Sequence, residues 1–170
     1  MIDPNVLVNI ANTLAPVQKM VSAASYLMGI TFIFKAMMTL KMLGEARSMM
    51  SGQQSIKEPI MYLLVGGILM YFPSTLHMMM ATVFGYSSPL AYAPINLPGR
   101  NVPLGRPLMI IIQTIGMIAF IRGWVLIARA GAHGQQPGGI GKGLMHIFGG
   151  IMAINLVGTL QIINNTLYGS

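Results

Sequence analysis

The sequence predicts an all-α membrane protein, with four transmembrane helices arranged as two parallel tandem helical hairpins and an N-terminal stretch able to form an interfacial helix. Three observations carry this expectation. Hydrophobic residues make up 54% of the 170 and charged residues only 8%, with a positive mean hydropathy. That is too little polar surface to cover a water-soluble globule. Residues 20–40, 60–84, 108–128 and 144–167 each supply the roughly 20 apolar residues that a hydrocarbon core about 30 Å thick requires. None of the four alternates with the period of two that a barrel strand needs. The third observation is that the chain repeats itself.

The repeat is plainest between PIMYLLVGGILMYFPSTLHMMMATVFG and MHIFGGIMAINLVGTLQIINNTLYG. Setting Gly66, Gly67 and Ile68 on Gly149, Gly150 and Ile151, with one gap, brings Thr75, Leu76, Thr82 and Gly85 onto Thr159, Leu160, Thr166 and Gly169. Upstream, Gly52-Gln53-Gln54 matches Gly134-Gln135-Gln136, and GITFIFK matches GMIAFIR, each of the latter placing one cation inside an apolar run. Any two membrane hairpins share some likeness because both draw on a small apolar alphabet. Taken as a duplication, the chain divides into an N-terminal amphipathic segment (1–19), a first transmembrane hairpin (20–85), a Pro-rich connecting strap (86–107) and a second transmembrane hairpin (108–170).

In the N-terminal segment Val6, Leu7, Ile10, Leu14 and Val17 recur at helical spacing after Asp3 and Pro4. No cationic region precedes a short apolar one, so a cleavable signal peptide of the usual form is not expected. In the first span, Ser25 and Gly29 make a small-xxx-small step for close helix approach. Lys35 lies about two turns inside the end of that span, within reach of headgroups along its flexible stem. The first loop is polar. Ser55 and Glu58 have capping-box spacing and Pro59 suits a first turn, so the second helix is expected to start near Ile56.

Pro73 predicts a kink in the second span. His77 follows it, either as a proton site or as a neutral imidazole bonded to a neighbouring helix. Four prolines in residues 86–106, and Pro107 after them, forbid a helix and favour an extended strap at one membrane face. In the third span Ala119 and Gly123 have close-packing spacing, Arg122 and Arg129 share a face, and Trp124 fits an interfacial anchor. The third loop is glycine-rich around His133 and Lys142, but its spacing is not that of a phosphate-binding loop. The fourth span offers Gly149, Gly150 and Ala153 for close approach. Its Asn155, Thr159, Gln161, Asn164 and Asn165 call for partner helices or a wet lumen.

Charge sets the topology. Lys41, Arg47, Lys57, Arg129 and Lys142 lie in or beside the first and third loops, against Lys19, Arg100 and Arg106 on the other side. The positive-inside rule puts those two loops in the cytosol and both termini outside. An even number of spans separates the repeats, so the hairpins are parallel copies.

No catalytic constellation emerges. The acids are Asp3, Glu45 and Glu58, all outside the spans, so no paired carboxylate is available for acid/base work or a coupled pump. Ser74 and His77 could pose as nucleophile and base, but nothing obvious orients that histidine. His77, His133 and His146 lack metal-site spacing, and without cysteine there are no thiolate ligands. The seventeen methionines suit irregular apolar packing, with a soft-metal path as the alternative. No cofactor is expected beyond a structural phospholipid. Lys35, Lys41, Arg47, Lys57, Arg122, Arg129 and Lys142 can hold anionic phospholipid headgroups at about 1 kcal/mol per cation. They could instead face a passing polyanion, or serve topology alone. Gly66 and Gly67 join Ser25, Gly29, Ala119, Gly123, Gly149, Gly150 and Ala153 as the expected helix-packing positions.

The run PIMYLLVGGILMYFPSTLHMMMATVFG, the later IIIQTIGMIAFIRGWVLIARA and the closing GGIMAINLVGTLQIINNTLYG together resemble the IcmC/DotE proteins of the Dot/Icm type IVB secretion system and their TraQ-like relatives on IncI-type conjugative plasmids. The likeness covers most of the chain after Met20, through Phe-Pro-Ser (72–74), Phe-Ile-Arg-Gly (120–123) and Ile-Asn (154–155). It implies a bacterial inner-membrane component of a machine exporting protein or DNA, with other secretion-system membrane proteins as partners and no activity of its own. Each hairpin also looks like a conjugative pilin, which implies homo-oligomers, bound phospholipid and a filament that can leave the cell. The chain differs from pilins in carrying two hairpins. A small transporter or ion-conducting protein is the alternative reading.

Overall fold

The fold is known from a computed structural model, which describes residues 4–48, 56–85, 105–132 and 138–169. All regular structure among them is helical: α1 (Pro4–Ser48), α2 (Lys57–Met70), α3 (Phe72–Phe84), α4 (Gly105–Ala132), α5 (Gly139–Ile154) and α6 (Leu156–Tyr168). Residues 86–104 of the expected strap, the matched Gln53-Gln54 and Gln135-Gln136, and Ser55, the expected cap, lie outside the described residues. Residues 105–107, expected in the strap, instead open α4, where a proline in the first turn removes no helical hydrogen bond.

Within α1 and α4, residues 16–46 and 108–131 are long and apolar enough to cross a bilayer. The protein is therefore an all-α protein with membrane-spanning character. The expected boundary after residue 19 is absent, because α1 runs unbroken for 45 residues with Pro16 inside it, about 68 Å at 1.5 Å per residue. No glycine or turn pair follows Pro16, so helix continues on both sides of the one amide it removes.

The second and fourth segments are not straight spans. α2 and α3 meet at 87°, and α5 and α6 at 95°. α2 has 14 residues and α5 has 16, about 21 and 24 Å, short of a hydrocarbon core. The kink expected at Pro73 falls instead at Tyr71 (φ −101°, ψ 33°), and its counterpart at Asn155 (φ −110°, ψ 64°) has no proline near it.

Proline is thus not the shared cause. Both breaks use one device: a threonine four residues on returns its hydroxyl to a carbonyl at the end of the preceding helix. Thr75 Oγ1 donates to Ile68 O at 3.3 Å, and Thr159 Oγ1 to Met152 O at 2.9 Å. Away from water a freed carbonyl needs such a partner. The orphan amides opening the second half-helix are handled differently. In α6 the Asn155 side chain accepts from Gly158 N at 3.1 Å, whereas α3 has Pro73 in its first turn, which has no amide to satisfy. Both half-helices end on a left-handed glycine, Gly85 (φ 76°) and Gly169 (φ 63°).

The helix directions follow from the contacts. Gly29 meets Gly66 while Lys35 meets Tyr62, so α1 and α2 are antiparallel. Gly131 meets Met61 near the start of α2 while Phe120 meets Phe72, just past the end of α2, so α2 and α4 are antiparallel. Gly116 meets Gly150 and Gly123 meets Gly143, so α4 and α5 are antiparallel as well. α1 and α4 therefore point the same way, and the C-terminal ends of α1 and α4 lie at one end of the bundle with the N-terminal ends of α2 and α5. Tyr62, Val65, Leu69, Phe72, Phe120 and Ile151 form the core between the hairpins.

The structure also corrects the register of the repeat. Gly66 is the counterpart of Gly150, not Gly149, and no gap is needed. Residues of α2 and α3 then correspond to residues of α5 and α6 84 positions later (Gly66 to Gly150, Tyr71 to Asn155, Thr75 to Thr159, Gly85 to Gly169). Those of α1 correspond to residues of α4 87 positions later (Gly29 to Gly116, Lys35 to Arg122, Gly44 to Gly131).

Candidate functional site

Two features stand where the sequence draws attention: glycine seams that close each hairpin, and cations gathered at its turn end.

In the seam of the second hairpin, a Cβ on Gly116 would lie 2.8 Å from Gly150 O, and one on Gly123 would lie 2.7 Å from Gly143 O. Two glycine pairs seven residues apart bring the two backbones into contact. The first hairpin keeps one such pair. A Cβ on Gly29 would sit 2.9 Å from Gly66 O and 2.8 Å from Met70 N. At the second level Ala36 and Pro59, both buried, stand where Gly123 and Gly143 stand later. Ser25 is buried and donates to Ser22 O at 2.7 Å. Ala119 and Ala153 are half-buried.

Gly67 and Gly149 do not join the seams. A Cβ at either would meet nothing within 4 Å. Each precedes or follows the seam glycine by one residue, which turns it about 100° away on a helix of 3.6 residues per turn.

Lys35, Lys41, Lys57, Arg122, Arg129 and Lys142 all have exposed side chains, and all lie in the half of the bundle nearer the turns; Arg47 lies in the last turn of α1. Lys41 forms an exposed ion pair with Glu45 at 3.8 Å. Lys35 does not simply extend outward. Its Nζ donates to Tyr62 Oη at 2.8 Å and lies 4.3 Å from the centre of that ring. Tyr62 is buried and rests against Phe32, 5.6 Å between ring centroids. Hydrogen bond and ring face together offset the cost of an ammonium in an apolar setting. In the second hairpin Arg122 replaces Lys35 and His146 replaces Tyr62, but the His146 ring nitrogen Nδ1 sits 2.8 Å from Lys142 O.

Trp124, expected as an interfacial anchor, packs edge-on against Phe120 at 6.3 Å with its Nε1 buried and unpartnered. Asn155 and Thr159 are buried at the second break, whereas Gln161, Asn164 and Asn165 are exposed. Ser74 and His77 lie exposed on α3. Met80 is fully buried while Met78 is exposed, so the methionine run divides between core and surface. Among the described residues, no three His, Cys, Asp or Glu gather to hold a metal ion.

Three functional elements escape inspection of the sequence alone. Tyr62 gives no signal in the sequence, because His146 stands at its matching position and the tyrosine meets Lys35 only across the closed hairpin. Gly116 and Gly143 could have been found from their seven-residue spacing to Gly123 and Gly150. Thr75 and Thr159 were visible as matched residues, but their carbonyl partners were not. No family model, curated protein or solved structure matches the chain.

Proposed function

We propose that this chain is a structural integral-membrane subunit of a bacterial type IVB secretion or conjugation apparatus, self-associating into a channel or pilus-like assembly for protein or DNA transfer. The observation that carries the reading is the duplicated hairpin, with both copies pointing the same way and cations concentrated at one end. A scaffold built from repeats of one packing unit suits assembly. The resemblance of residues 59–85, 110–130 and 149–169 to the IcmC/DotE and TraQ-like proteins supplies the machine.

In this reading α1 and α4 cross the inner membrane and each bent pair completes one further span. The turn end faces the cytosol and both termini face the periplasm, in keeping with the positive-inside rule. Lys35 and Arg122 contact the phosphates of anionic phospholipid from corresponding positions in the two hairpins. The subunit carries no reaction of its own and works with other membrane proteins of the apparatus, the transported DNA or protein passing along its assembly.

The test is reconstitution of purified protein into sealed proteoliposomes, with imaging of the same preparation. Rings or filaments without solute flux, with copurifying anionic phospholipid, are the expected result. Monodisperse single chains that conduct solute by themselves would overturn the proposal in favour of a small transporter.

A further inference from the structure

The two hairpins meet through unlike faces. α4 of the second hairpin lies against both α1 and α2 of the first. Gly131 there admits Met61 so closely that a Cβ on the glycine would lie 3.1 Å from Met61 Cβ, and Phe120 meets Phe72 with ring centroids 5.9 Å apart. Such a head-to-tail contact uses one face of each unit and leaves the complementary face of each unit over.

The leftover faces can be read by exchanging each docking residue for its counterpart in the repeat. Where α4 docks with Thr114 and Ile121, both 5% exposed, α1 carries Leu27 and Phe34, exposed by 65% and 62%. Gly131 corresponds to Gly44, beside which there is nothing within 4 Å. Across the contact, Met61 corresponds to Met145, which is 74% exposed, and buried Val65 corresponds to open Gly149. Buried Leu76 of α3 corresponds to exposed Leu160 of α6. Positions that face outward in both hairpins, Ile60 with Leu144 and Leu64 with Phe148, are exposed in both. The docking positions are covered in one hairpin and bare in the other, and the glycine and methionine of the contact are present twice.

We propose that a second copy of this chain docks by repeating the contact that joins the two hairpins. α1 of one copy enters the groove between α4 and α5 of the next and brings Gly44 against Met145. Because the two faces differ, every added copy leaves one of each free, and the assembly grows into a ring if the rotation closes or a filament if it does not. This deepens the self-association in the function proposed above and is independent of what the assembly transports.

The chain contains no cysteine, so disulfide trapping in membranes of cells making the full chain is clean. Met61→Cys with Gly131→Cys in one molecule should close an internal bond, its Cβ atoms lying near disulfide range. A mixture of Gly44→Cys chains and Met145→Cys chains should give covalent dimers on oxidation. The double variant should give a ladder of dimers, trimers and larger species, while either single variant alone should stay a monomer. Absence of dimers in the mixture while the internal control closes would overturn the inference. So would equal dimerisation of Gly44→Cys alone, which would make the contact a symmetric one, or failure of the internal control, which would remove its template. If cross-linking fails yet the purified protein still forms large assemblies, this docking geometry falls and the proposed function stands. If the ladder forms and no secretion or conjugation partner is found, the reverse holds.

Discussion

The first and second hairpins follow the same backbone path with different local chemistry, and the difference separates what the path requires from what it tolerates. Both place a glycine pair at one level of the seam, a threonine hydroxyl on a carbonyl seven residues back, and a left-handed glycine at the end. These recur because each answers a condition the backbone sets: close approach, an unpaired carbonyl, a helix end. The first hairpin enters its half-helix with Pro73 and the second with the Asn155 side chain. Either removes the difficulty of an unpaired amide at a helix start, so either serves.

The strongest way to break the comparison is at the seam. Gly150→Leu would drive a side chain into the Gly116 carbonyl and the Phe120 backbone, and Gly66→Leu would do the same against Gly29 and Ile33. Backbone cannot yield as a flexible side chain can, so each should cost at least the roughly 1–3 kcal/mol typical of overpacking. Unfolding titrations in mixed micelles should show the loss. Gly67→Ala, one position away and open, should be neutral or gain up to about 1 kcal/mol from helix propensity.

The breaks give the next effect. Thr159→Val or Thr75→Val keeps the shape and strands a carbonyl, at about 1–2 kcal/mol each by the same titration. Asn155→Ala should cost about 1 kcal/mol as a lost cap, whereas Tyr71→Ala removes no side-chain cap bond because Tyr71 makes none. A result in which both cost the same would show that the breaks are not capped differently.

The smallest effect sharpens the comparison most. Pro73→Ala should leave the bend between α2 and α3 close to its 87°, since the second hairpin bends by 95° without a proline. Spin-label distances between Leu63 and Val83 positions would read it. Straightening into one helix would make proline the cause after all.

Much of this was legible in the residues. Apolar content and segment length are enough to announce helices that can cross a bilayer, and the recurrence of Thr75, Thr82 and Gly85 as Thr159, Thr166 and Gly169 announces the duplication. The right-angle breaks were not legible. Nothing in the run Ile151 to Gly158 resembles a stop, because the break depends on a hydroxyl reaching back to a carbonyl rather than on a breaker residue. Sequence matching alone sets the register one position off, because the doublets Gly66-Gly67 and Gly149-Gly150 look equivalent. Which glycine of a doublet lies in the seam is decided by the opposite helix, through Gly29 and Gly116. The ring that holds Lys35 was hidden for a related reason: Tyr62 is distant in sequence and meets the cation only once the hairpin is closed.

The central claim is that the two hairpins are copies inserted the same way up. Cysteines placed at Gln53 and Gln135 in the otherwise cysteine-free chain can be labelled with a membrane-impermeant maleimide in sealed, oriented vesicles. Labelling of both from the same side is the result this account predicts. Labelling from opposite sides would contradict it.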